Sequence, residues 1–213
     1  MSLFYRIKRW LLKHFQDNFL IYFSLTIIFV IGIVIGAITI KVLNIEQKND
    51  IITFLNSFFK TMDSSGLDNL SVLKQSIIDN FKTIGLVWIT GLIIIGIPII
   101  PIIIIFRGFA LGFTVGFLVN EYAIKGFLFS ILGILPQNLF IIPGIIAISS
   151  TGMAFSINGI KNKKNRLRNN KIGSNIINYS ILILFFSIIV FIGTLIEAYI
   201  SPIFLGVLWN YLK

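Results

Sequence analysis

The chain has 213 residues, 56% of them hydrophobic, and a mean hydropathy of +0.95, far above what a soluble domain carries. Its 18 lysines and arginines against 8 acids give a net charge of +10. Because the basic residues flank apolar runs, that excess reads as membrane topology and attraction to anionic headgroups, not as nucleic-acid binding. There is no cysteine, which excludes disulfides, thiolate metal sites and cysteine nucleophiles.

In chain order, residues 1–19 carry Arg6, Lys8, Arg9 and Lys13 and are expected in the cytoplasm. His14, the one histidine, belongs to this flank and is expected to be solvated. Leu20–Ile40 follows without a charge. At about 1.5 Å per residue, such a helix covers the hydrocarbon core of a bilayer. Ala37-Ile38-Thr39 lacks the small residue that a signal-peptide cleavage site needs, so this run is expected to remain as an anchor. Residues 41–83 balance Lys41, Lys48, Lys60, Lys74 and Lys82 against as many acids and are placed outside. Ile51, Phe54, Leu55, Phe58, Phe59 and Met62 share one helical face, and Leu70, Leu73, Ile77, Ile78 and Phe81 repeat it beyond a turn at Asp63-Ser64-Ser65-Gly66. That pattern predicts an amphipathic hairpin on the outer membrane surface. Phe54, Phe58, Phe59, Ile77 and Phe81 then form either a lid on the bundle or a platform for an extracytoplasmic partner.

Ile84–Phe106 predicts a second span that returns the chain to the cytoplasm at Arg107, kinked late by Pro98 and Pro101. Gly108–Ile124, interrupted only by Glu121, suffices for a short or tilted third span. Phe127–Asn158 is too long for one straight crossing. A half-helix over Phe127–Leu135, a break at Pro136-Gln137-Asn138 and a span over Leu139–Asn158 are expected; the alternative is a re-entrant Gly108–Leu135. The basic loop at 159–175, with Lys161, Lys163, Lys164, Arg166, Arg168 and Lys171, is expected inside, before a last span at Ile176–Ile196. The reading is an all-α membrane fold. It is a single polytopic helical bundle of about five transmembrane helices, with an outer amphipathic hairpin, a Pro-broken segment and the C-terminus outside.

Two motifs point to contacts, and none points to catalysis. Gly108, Gly112 and Gly116 recur every fourth residue, and Gly32 and Gly36 do the same on the first helix. Such stripes let helix backbones approach closely, within the monomer or against another protein's transmembrane helix. Pro136, Gln137 and Asn138 place a helix break and two amides in apolar surroundings, where they need hydrogen-bond partners. A broken helix with polar groups is also how transporters build midplane sites, which keeps a small transporter or channel as the rival function. Arg107, Glu121 and Lys125 are expected at helix ends, and Glu197 at the outer end of the last helix. No carboxylate pair, catalytic triad, metal-ligand cluster or cofactor motif is legible, so no enzyme, cofactor or metal site is expected.

Four runs in order also carry a family resemblance: Ile84-Gly85-Leu86-Val87-Trp88-Ile89, Gly112-Phe113-Thr114-Val115-Gly116-Phe117-Leu118-Val119-Asn120, Leu135-Pro136-Gln137-Asn138 and Glu197-Ala198-Tyr199-Ile200-Ser201-Pro202. With them the chain resembles the stage II sporulation protein M family from about Leu20 to Pro202. Wider relatives often show Pro-His-Gly where this chain has Pro136-Gln137-Asn138, a departure that favours the sporulation branch. The resemblance implies an integral membrane component of the engulfment machinery in endospore-forming bacteria. It further implies two membrane-anchored peptidoglycan-degrading partners, the stage II sporulation proteins D and P, which hold the chemistry while this chain recruits them to the septal or engulfing membrane. It implies no catalytic residue here.

Overall fold

The computed structural model of the protein describes residues 3–65, 69–161 and 172–204, and among them every regular element is a helix. Helix α1 covers Leu3–Asp17, and α2 covers Phe19–Thr39 and closes in a 3-10 turn at Ile40–Val42. Then come α3 (Ile45–Ser65), α4 (Asn69–Leu92), α5 (Gly96–Gly133), α6 (Leu135–Lys161) and α7 (Ile172–Tyr199). Four stretches are long and apolar enough to cross a bilayer: Phe19–Val42, Gly96–Gly133, Leu135–Ile160 and Asn175–Phe204. The protein is a helical membrane bundle.

The second apolar run is two helices, not the single span expected over Ile84–Phe106. Helix α4 ends at Leu92, the chain turns through Ile93–Ile95, and α5 starts at Gly96. Arg107 Nη2 lies 2.6 Å from Thr83 Oγ1 and 3.2 Å from Asp79 O, so α5 runs back alongside α4. Gly91 and Gly96 make the turn possible, because a Cβ on either would collide with Tyr179 or with Thr90 O. Pro98 and Pro101 fall in the first two turns of α5 and not in a late kink. A proline in the first turn gives up a donor that has no helical partner anyway. The carbonyls left open at the end of α4 are met from two other helices. Ser156 Oγ is 2.8 Å from both Gly91 O and Ile93 O, and Tyr179 OH donates to Trp88 O at 3.0 Å.

Beyond Arg107, α5 continues unbroken to Tyr122, so the expected Gly108–Ile124 span is the second half of a helix that begins at Gly96. At Ala123 the backbone takes φ 47° and ψ −124° and the chain reverses. The close return needs Gly126, where a Cβ would collide with Leu118 O. The leg from Ile124 descends to Gly133, is offset at Ile134 and resumes as α6. The break therefore precedes Pro136, which sits in the first turn of α6. Since Ser156 meets the α4–α5 turn, α6 runs the full length of the bundle.

Leu25, Val87, Ile100, Ile104 and Ile148 are all but inaccessible and form the centre of the core. Leu20, Phe106 and Leu184 are among the large apolar side chains that point outward, as expected when the surrounding solvent is hydrocarbon. Helix α4 buries a mixed face, Ser76, Asn80, Ile84, Val87 and Gly91, while Lys74, Asp79 and Lys82 are exposed together with the apolar Phe81, 49% exposed. From Ser76 onward α4 packs against the bundle, through Glu197 of α7 and Arg107 of α5.

Candidate functional site

The glycine stripes meet one another. Helices α2 and α5 run parallel and share the most extensive contact in the bundle. A Cβ on Gly32 would collide with Ile105 O, one on Gly36 with Phe109 O, one on Gly108 with Phe29 O, and one on Gly112 with Ile33 O. On Gly116 it would come within 2.6 Å of Ile40 Cδ1. Each glycine faces backbone or side chain of the other helix, so dispersion contact is made at a separation that larger residues forbid. The face is filled by the chain's own α2.

The second constellation lies where α4, α5, α6 and α7 converge. Gln137, 7% exposed, donates to Gly133 O at 2.9 Å and accepts from Ser201 Oγ at 2.7 Å. Asn138 donates to Ile134 O at 2.7 Å. The two amides thus supply the donors that the carbonyls at the helix break lack, which is the demand apolar surroundings impose. Arg107 reaches the same place from α5, held by Thr83 Oγ1 and Asp79 O. Ser76 Oγ donates to Glu197, and Asn80 Nδ2 lies 3.4 Å from Ser76 Oγ.

Two adjoining cavities open beside these groups, of about 290 and 520 Å3, and Arg107, Gln137, Asn138, Ile141 and Glu197 line both. Sequence reasoning placed Arg107 at a helix end, but it is mid-helix, roughly 16 Å along α5 from Gly96. It also missed Asp79, Asn80 and Thr83 as partners. The available signal was the recurrence of Ser76, Asn80 and Thr83 along one face of α4, opposite the apolar stripe.

At the other end of the bundle, His14 is half-buried rather than solvated. Its Nε2 lies 3.2 Å from Thr151 Oγ1, whose own proton goes to Ala147 O at 2.8 Å. Nε2 is therefore the donor, and Nδ1 accepts from Asn18 Nδ2 at 3.4 Å. The network fits a neutral ring, and burial lowers the His14 pKa below 6.5 against a smaller raising effect from Asp17.

Of the expected outer platform, Phe54 is 69% exposed on α3 and Ile77 is half-buried on α4. Phe81 lines an apolar groove with Trp88, Leu184 and Phe191. The side chains of Phe58 and Phe59 lie outside the described residues. Lys48 and Glu121, 3.9 Å apart, tie the start of α3 to the α5 reversal.

Among the described residues no group of histidines and acids could hold a metal ion. What the fold defines is a polytopic helical membrane protein. The family model of stage II sporulation protein M matches residues 25–202, and the chain belongs to that family, a sporulation-related family of membrane proteins. Neither a comparison with curated proteins nor one with solved structures found a match.

Proposed function

We propose that the protein is a non-catalytic membrane scaffold that recruits and holds peptidoglycan-degrading partners for septal wall thinning and engulfment during endospore formation. Family membership over residues 25–202 carries this reading. Its support in the fold is a bundle closed by glycine contacts, with exposed Phe54 on α3, whose described residues pack little against it. The partners would be membrane-anchored hydrolases resembling the stage II sporulation proteins D and P. Purification from sporulating cells in mild detergent should recover such a hydrolase. Phe54→Glu should weaken that recovery while the protein still accumulates. Recovery of the intact bundle without any wall hydrolase would remove the proposal.

One observation favours the second reading, a transporter or channel: a cavity reaches Gln137 and Asn138. Against it, Leu25, Val87, Ile100 and Ile148 fill the layer between that cavity and the His14 end. Saturable solute flux in proteoliposomes, abolished by Asn138→Ala without loss of folding, would establish it over the scaffold.

A further inference from the structure

The cleft between α4, α5, α6 and α7 sets Arg107 with two carboxylates, Asp79 and Glu197, neither of which closes an ion pair on it. Arg107 and Glu197 line both cavities, yet the two form no ion pair. The guanidinium spends Nη2 on the neutral oxygens of Thr83 and Asp79, and among the described residues Nε and Nη1 have no protein partner. On the facing wall Glu197 takes one proton from Ser76. Beside it, Asn80 is 3% exposed and its Oδ1 has no partner at all. An unpartnered buried acceptor and unspent cationic donors are each costly in apolar surroundings. Both costs fall if a bound group carries an oxyanion at one end and N–H donors at the other.

We propose that this cleft binds an amino-phosphate group of the phosphoethanolamine type, its phosphate on Arg107 and its ammonium on Glu197 and Asn80 Oδ1. Three donors remain on the planar guanidinium, which suits a tetrahedral oxyanion. A primary ammonium brings the protons that a carboxylate and an amide oxygen both accept. The larger cavity, about 520 Å3, falls in the range of small-ligand sites. Two sources offer this chemistry: the headgroup of phosphatidylethanolamine and free phosphoethanolamine.

The test follows thermal unfolding of the full chain in lipid nanodiscs. Phosphatidylcholine is the reference, since its quaternary ammonium has no N–H. One arm replaces it with phosphatidylethanolamine; the other keeps phosphatidylcholine and adds soluble phosphoethanolamine. A rise in Tm of roughly 5 °C at saturation is expected in at least one arm, and the arm that responds identifies the source. Arg107→Gln and Glu197→Gln should lose the rise, and Lys82→Gln, whose ion pair with Asp79 is exposed, should keep it. If Arg107→Gln does not fold, Asn80→Leu takes its place, because it removes the unpartnered acceptor. No rise in either arm, or an equal rise in the cleft variants, overturns the proposal.

Discussion

Ala123 is the one non-glycine residue at positive φ among the described residues, and an L side chain there is strained. Ala123→Gly should therefore stabilise the protein by about 1 kcal/mol despite the added backbone freedom of the unfolded chain. Thermal unfolding in detergent checks this; a lower Tm would show the reversal to be relaxed. His14 offers a second test. Its pKa is lowered by burial, so the neutral ring is the form the fold accepts. The contact is at full strength above about pH 6.5 and weakens as pH falls through the lowered folded value. Limited proteolysis should release α1 more readily at pH 5 than at pH 7.5, and His14→Gln, neutral throughout, should flatten the difference.

Among the helices, legibility depended on what each face touches. The α2 stripe at Gly32 and Gly36 and the α5 stripe at Gly108, Gly112 and Gly116 were readable, since four-residue spacing places small residues on one face whatever the partner. The α4–α5 turn was not. Its residues Ile93–Ile95 are as apolar as the helices they join, and hydropathy carries no sign of a reversal inside an apolar run. Helix α4 misled for another reason. Its apolar face was expected to mark a surface helix, but the face packed on the bundle carries Ser76 and Asn80 as well as Ile84 and Val87, a mixture that hydrophobic periodicity does not single out. Arg107 was assigned to the wrong depth through the same missed turn. The α2–α5 contact yields a sharp contrast. Gly112→Leu forces a side chain into Ile33 backbone and should cost more than about 3 kcal/mol, read as loss of accumulated protein. Phe113→Leu, off that face, should cost under about 1.5 kcal/mol. Equal tolerance of both would mean that the close approach of α2 and α5 is not needed.

For the whole molecule, five legs run the length of the bundle: α2, α4, the first part of α5, the leg from Ile124 through α6, and α7. Odd parity puts the start of α2 and the end of α7 on opposite sides, and the basic flanks predict which is which. Reporter fusions at Asn49 and after Lys213 should score outside, and one near Lys164 should score cytoplasmic. A cytoplasmic C-terminal reporter would refute the five-leg count. Helix α4 is the odd leg. Asp79, Asn80 and Lys82 lie midway along it, and it is absent from the four stretches apolar enough to cross alone. Charged residues at helix centres each cost about 2.5–3.5 kcal/mol on insertion scales. Biogenesis must then handle α4 and α5 as one unit, the polar leg waiting at the translocon until Arg107, which bonds Thr83 and the Asp79 carbonyl, has been synthesised. A ribosome-arrested chain ending just past Leu92 should leave α4 extractable by alkali, whereas one extended past Tyr122 should retain it in the membrane.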